Sequence, residues 1–355
     1  MVVIVLGLVP VALTTRPALA AAARASWGVY TAPGPKNIIG AAEFAAITKI
    51  DITHVIDFLP DGSWTHLTTA DWAIDAYTNS PYQLVLSVPM IPRDGTSTLA
   101  ACANGSYNQH WHTIAAQLRE AKLAGTIVRP GWEANGGWFP WTAVGTVNDY
   151  VRCFRQVVTS MRVETPGLRF DWTVAAGSTP LNGELAYPGD KYVDIVGVDI
   201  YDYSWSWYPA PEGVSLNQAR QNAVAYAVNG PRGLAYWSNF ALEHSKPLAL
   251  PEWGLSWRYD GHGGGDNVRF VEAVLGFVKD PANRVQYANY FNSPDSITGG
   301  HRITGPNMVF PSGAQRILEL ARWNTRGTTR WGGPTRPREP GMTPTRVDRR
   351  YWLQR

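Results

Sequence analysis

The sequence predicts an α/β fold, a (β/α)8 TIM barrel forming a single catalytic domain. Three observations carry that expectation. Short apolar, strand-like runs alternate with helix-like runs, which argues for a parallel sheet covered by helices. Eight such strand runs can be counted, the number that closes a barrel. No Pro/Ser linker or shorter repeat divides the 355 residues, and with 45% of them hydrophobic there is enough apolar material for one large core.

The strand runs fall at 27–30 (WGVY), 54–59 (HVIDFL), 84–89 (LVLSVP), 126–133, 169–176 (RFDWTVAA), 194–201 (DIVGVDIY), 247–254 (PLALPEWG) and 285–292 (VQYANYFN). Each is rich in β-branched or aromatic residues. Between them, 107–123 sets Trp111, Ile114, Ala115, Leu118 and Leu123 on one helical face. Stretches 149–163, 215–227, 266–278 and 312–321 read as further helices, with Ser215 and Asp266 as N-caps. In 266–278 the residues Phe270, Val274 and Phe277 recur at helical spacing.

The two ends differ from this middle. Residues 1–25 read as a signal peptide: Val2 to Leu13 is apolar, and Ala18-Leu19-Ala20 fits a cleavage site, although a basic first region is missing. That implies a secreted protein, extracellular or bound to a cell wall, with no membrane span left after cleavage. The expected catalytic domain is 26–322. Residues 323–355 are rich in Arg, Pro and Gly without apolar period, and read as a disordered tail or a segment that adheres to an acidic polymer.

Bulk composition narrows the function. A net charge of +3 is too mild to argue for a nucleic-acid partner. Only 17% of the chain is charged, while it holds sixteen Trp and sixteen Tyr. Such a balance suits either a bulky aromatic core or a carbohydrate cleft. The two cysteines, Cys102 and Cys153, suggest one disulfide in an exported protein, or else two separate thiols. Asn104-Gly105-Ser106 forms a glycosylation sequon that matters only in a eukaryotic secretory pathway.

The stretch 126–141, TIVRPGWEANGGWFPW, concentrates the chemistry. A single carboxylate, Glu133, follows a buried strand and stands among Trp132, Trp138, Phe139 and Trp141. Desolvation there disfavours the charged form, so the group is suited to donate a proton. In a (β/α)8 barrel the active site lies at the C-terminal ends of the strands. That rule picks Glu133 on the fourth strand and Glu252 on the seventh. It also picks Asp57, Pro89, Ala176, Asp199, Tyr201 and Asp202. A retaining glycosidase needs two carboxyl groups about 5–5.5 Å apart, one as acid/base and one as nucleophile.

On these residues the chain resembles glycoside hydrolase family 26, the β-mannanase-type barrels of clan A. VRPGWEANGGWFPW is similar to that family's acid/base motif. YVDIVGVDIYD, PLALPEWG and YANYFN are similar to its sixth, seventh and eighth strands. The likeness runs in order from about Trp27 to Ala321. It implies a retaining O-glycosyl hydrolase, an endo-β-mannanase type, with Glu133 as acid/base and Glu252 as nucleophile. Tyr201 would hydrogen-bond the nucleophile and Arg129 would lie beneath it; each is otherwise an ordinary core or barrel-interior residue. Asn135, Trp138 and Trp141 join the substrate-binding candidates, the indoles as sugar platforms or as loop packing. Trp205 and Trp257 could line further subsites, as could Trp207, Tyr208 and Tyr259. Asp57 either touches substrate or is a buried structural acid.

One departure bears on specificity. The family's mannanases carry His before the acid/base, where this chain has Trp132. β-1,4-mannan is the first expectation for the polysaccharide, with a β-glucanase or β-xylanase as alternatives and a non-catalytic glycan-binding barrel as the alternative of another kind. The reaction needs no metal or organic cofactor, and the protein is expected to act as a monomer. Two motifs are set aside. His262-Gly263-Gly264-Gly265 mimics an esterase oxyanion loop, but G-x-S-x-G is absent. His110 and His112, two apart on a helix, share no face.

Overall fold

The structure, a computed structural model, describes residues 25–293, 299–305 and 310–325. The expected signal segment, apart from Ala25, and everything past Thr325 lie outside the described residues. Ten strands occur among those described: β1 (Ser26–Tyr30), β2 (Ile52–Phe58), β3 (Gln83–Val88), β4 (Ile127–Pro130), β5 (Arg169–Ala175), β6 (Ile195–Tyr201), β7 (Leu248–Gly254), β8 (Trp257–Arg258), β9 (Val285–Phe291) and β10 (Gly299–Gly300). A closed barrel forms in the order β1-β2-β3-β4-β5-β6-β7-β9, and every neighbouring pair is parallel. The chain is therefore a (β/α)8 barrel. Strands β8 and β10 pair antiparallel as a separate short ribbon in the loops after β7 and β9.

Helices fill the connections: α1 (Pro35–Thr48), α2 (Trp64–Thr68), α3 (Asp71–Asp75), α4 (Leu99–Ala103), α5 (Asn108–Glu120), α6 (Val147–Glu164), α7 (Leu216–Asn229), α8 (Leu234–Glu243), α9 (Val268–Lys279) and α10 (Pro311–Thr325). Helix α1 escaped the apolar-period reading for a visible reason. Its buried stripe is Asn37, Ala41, Phe44 and Thr48, and two of these four are polar. Asn37 donates to the Ile56 carbonyl and accepts from Thr31, so burial costs it little. Helix α10 continues past Arg322 to Thr325, beyond the expected domain boundary. No described helix is long and apolar enough to cross a membrane.

Ser215 caps α7 as expected, accepting from the Gln218 amide at 3.2 Å. Asp266 does not cap α9, whose cap position is Asn267. Its carboxylate instead accepts the Ser312 and Gly313 amides at 2.8 and 2.7 Å, so it serves the first turn of α10. Cys102 and Cys153 are joined in a disulfide that ties α4 to α6, with Cα atoms 5.0 Å apart.

Strand alternation sorts the barrel interior into layers. The lower layer is apolar: Ile56, Val85, Ile127, Ile195, Ala249 and Tyr287. Two residues further along their strands come Ser87, Arg129 and Asn289, all buried. Further along still, Phe58, Tyr201 and Phe291 are the last residues of β2, β6 and β9. The chain thus places a charged layer directly above a greasy plug, at the end of the barrel where the strands stop.

Candidate active site

Strand β4 ends earlier than its sequence suggests. Pro130 has no amide to extend the ladder, and Gly131 turns the chain with φ 52°. Glu133 itself has φ 53°, a left-handed conformation that is uncommon for a residue with a side chain. The surroundings impose it. The Glu133 amide donates to Thr173 O at 2.9 Å, and the Glu133 carbonyl accepts from Gly136 N at 2.9 Å. Tyr150 of α6 donates to Gly131 O at 3.0 Å, and Trp141 Nε1 donates to Trp132 O at 2.9 Å. Backbone strain held by so many bonds is a mark of functional sites.

This wiring corrects two sequence-level candidates. Trp141 is fully buried and stacks on Phe139 at 4.6 Å, so its face is closed to a ligand. Asn135 is also buried, and its amide is spent on Ala175 O, Thr179 Oγ1 and the Ala175 amide. Both residues hold the Glu133 loop in place. Trp132 is only 7% exposed, packed edge-on to Phe58 and Phe139. Trp138 differs, being 48% exposed, and its Nε1 donates to Glu133 Oε2 at 2.8 Å. Its ring lies across Gly136, where a Cβ would come within 2.3 Å of the indole, so only glycine permits the contact. Among the described residues, nothing in the protein bonds the other Glu133 oxygen.

Glu252 lies in a different setting. It is 7% exposed, near the C-terminal end of β7. Arg129 Nη1 donates to its Oε1 at 2.9 Å, and the Tyr201 hydroxyl donates to its Oε2 at 2.7 Å. Arg129 is completely buried and bridges a second acid, with Nη2 2.6 Å from Asp199 Oδ2. Two more of its donors go to Thr173 Oγ1 and Ser87 Oγ, both at 3.0 Å. Asp199 in turn accepts the Glu252 amide at 3.0 Å, fixing the backbone of the strand end. The Thr173 hydroxyl donates to Asp171, whose other oxygen accepts from Tyr287 at the barrel floor. Burial pushes the Asp171 carboxyl up to about 6, against the pull of Arg129.

The two carboxyl groups feel each other. Glu133 is pushed up to about 7, first by its deep seat and then by the negative charge of Glu252. The Trp138 N–H and the more distant Arg129 pull the other way. A carboxyl poised near neutral pH beside a second, doubly hydrogen-bonded carboxyl can donate and recover a proton while its partner offers a lone pair.

The remaining candidates divide. Asp57 does not reach the mouth. It points between β2 and the helices, where it accepts from the Gly34 amide at 2.7 Å, the Phe58 amide at 2.8 Å and Tyr77 Oη at 2.8 Å. Its neighbours Ile56 and Phe58 face the interior, so alternation turns Asp57 away. Tyr208 is buried and donates to Asp202. Trp205 and Trp257 are exposed in the loops after β6 and β7. The structure adds residues not singled out before. Tyr30, Phe58 and Phe291 form a contiguous aromatic wall, with Tyr30 4.8 Å from Phe291 and 5.1 Å from Phe58. Each is the final residue of a barrel strand. Their positions at or beside the ends of strand runs were open to the sequence.

Residues 98–230 match the profile described as Glycosyl hydrolase family 26. This segment includes Glu133 and stops before Glu252. A mannan endo-1,4-beta-mannosidase of Bifidobacterium adolescentis is 27% identical over 212 residues, covering 55% of this chain and 20% of that protein. Endoglucanase H of Acetivibrio thermocellus is 23% identical over 256 residues, covering 69% of this chain and 25% of that protein. The chain thus spans a quarter or less of the length of these two relatives. Among solved structures, the catalytic domain of the Bacillus sp. JAMB-750 endo-beta-1,4-mannanase matches with a TM-score of 0.57 at 20% identity, over 85% of this chain and 86% of that one. That profile lies across the fourth to sixth barrel strands, and over this segment the chain is similar to glycosyl hydrolase family 26.

Proposed function

We propose that the protein is a retaining glycoside hydrolase that cleaves β-linked polysaccharide, β-1,4-mannan first, by double displacement. The observation that carries this reading is the pairing of Glu133, poised near neutral pH, with Glu252, held by Arg129 and Tyr201. In the first step Glu252 attacks the anomeric carbon and forms an ester. The bond to the leaving sugar breaks, and its oxygen takes the Glu133 proton. In the second step Glu133, now a carboxylate, takes a proton from water. The water oxygen displaces Glu252 from the anomeric carbon and the starting state returns. Arg129 and Tyr201 position the nucleophile, and Trp138 orients the acid while offering its open face to a sugar.

Mannan is favoured by the relative named as a mannan endo-1,4-beta-mannosidase. A second reading, β-glucan, is favoured by Trp132 at the position where the family's mannanases have His, and by the relative named as an endoglucanase. The Cys102–Cys153 bridge supports export to an oxidising compartment. The test is reducing-sugar release from mannan, mixed-linkage glucan and xylan, with the anomeric form of the first product followed by NMR. Mannan should release most, with retention. Binding without release on all three would sink the enzymatic reading, and an inverted product would sink the mechanism.

A further inference from the structure

Beyond the two acids, an aromatic surface leads outward from the nucleophile. Tyr201, bonded to Glu252, faces Tyr203 at 6.0 Å with the rings nearly parallel. Tyr203 meets Trp205 edge-on at 5.3 Å. Tyr203 still belongs to the mouth, since burial and then the charge of Glu133 push its hydroxyl up. Trp205 lies beyond it and is 62% exposed. An indole sandwiched on both faces could not keep that much of its surface open. Its neighbours therefore cover the smaller part of the indole and leave most of it open.

That cover is built. The His262 ring stacks on Trp205 at 5.4 Å and 24°. The Arg258 guanidinium lies 5.3 Å from the Trp205 ring and 5.7 Å from the Tyr203 ring. Arg258 is anchored through Nε and Nη2 to the Asp260 carboxylate, at 3.0 and 2.6 Å. The Ser204 amide donates to His262 O at 2.9 Å, and a β-bridge joins Tyr203 to Gly263. Two loops from adjacent barrel strands are thus stitched together around one exposed ring. A mobile surface tryptophan has no need of such a frame. Trp257 is not part of it, because strand alternation in β8 sends it to the side opposite Arg258.

We infer that Trp205, framed by Tyr203, Arg258 and His262, is a distal subsite that stacks a pyranose ring of a β-linked chain, beyond the sugars at the cleavage point. The inference rests on the glycosidase reading and deepens it. A flat, rigid aromatic face next to a carbohydrate-cleaving mouth offers apolar area to the C–H face of a sugar at little entropic cost.

The test compares β-1,4-mannohexaose with mannotriose, and cellohexaose with cellotriose, in the native chain, Trp205→Ala and Trp205→Phe. For the preferred sugar, the hexaose-to-triose ratio of kcat/KM should fall about tenfold in Trp205→Ala, through KM, and recover in part in Trp205→Phe. A ratio within twofold of native in Trp205→Ala overturns the subsite. Calorimetric binding of both hexaoses to Glu252→Ala, with and without Trp205→Ala, reads the same surface without turnover. About tenfold weaker hexaose binding supports the subsite, whereas equal binding, or none of either hexaose to Glu252→Ala, overturns it. Hexaose binding lost with Trp205, in a native chain that cleaves nothing, keeps the subsite and overturns the glycosidase reading instead. Equal melting temperatures for the Trp205 variants separate lost stacking from lost folding.

Discussion

Glu133 and Glu252 stand in one mouth, yet the chain treats them in opposite ways. Glu252 is gripped by an arginine and a tyrosine, one donor to each oxygen, with its amide tied to Asp199. Glu133 has a single neutral donor, Trp138, and a strained backbone pinned from four directions. One side chain is fixed through its charge, the other through its main chain. The contrast teaches how two identical functional groups acquire different chemistry. A nucleophile must keep its lone pair aimed, whereas a proton shuttle must change charge cheaply twice in each cycle.

Breaking the gripped side should have the largest effect. Glu252→Ala is expected to lower turnover by on the order of 10⁴-fold or more on every substrate, measured by reducing-sugar release. Near-native rates would remove Glu252 from the nucleophile role. Glu133→Ala should cost about 10²- to 10⁴-fold on polysaccharide. Aryl glycosides with good leaving groups should be spared, and azide should accelerate their turnover. If azide does nothing and aryl glycosides fail as badly as the polymer, Glu133 is not the acid/base.

The grip itself can be tested through stability. Arg129→Met leaves Glu252 and Asp199 buried without their common partner, which should cost roughly 3–5 kcal/mol in chemical denaturation. A stable Arg129→Met protein would mean that the two acids tolerate burial unaided. Away from the mouth, opening the Cys102–Cys153 bridge, which spans 51 residues, should cost up to about 4 kcal/mol on a loop-entropy argument. Paired Cys→Ala variants should leave the pH profile alone.

The smallest expected effect sharpens the comparison most. The first step needs Glu133 protonated, and rising pH empties that form. Because its carboxyl is raised to about 7, kcat/KM should fall on the alkaline side near that pH. The Trp138 N–H favours the carboxylate form, so Trp138→Phe should move this limb to higher pH. A limb that stays put would deny that Trp138 tunes the acid.

Much of this was legible in the chain. Each of the eight strand runs became a barrel strand within a few residues, because β-branched clusters bounded by turns have few other solutions. Glu133, Glu252, Tyr201 and Arg129 could be named because they occupy strand ends or the layer below. Asp57 could not be placed, since one residue of alternation decides between the mouth and the helix layer. Asn135 and Trp141 fall in the same motif as Trp138 but face inward, a distinction made by Ala175, Thr179 and Phe139 from elsewhere in the fold.

By itself, the sequence determined the barrel and the two acids, since hydrophobic period and strand count are local properties that add up along the chain. Only the tertiary structure decided which indole is exposed and which a buried strut, and which carboxylate is gripped and which is poised. Those properties depend on burial and on hydrogen bonds between residues far apart in the chain, 123 positions in the case of Arg129 and Glu252, and no local pattern records them.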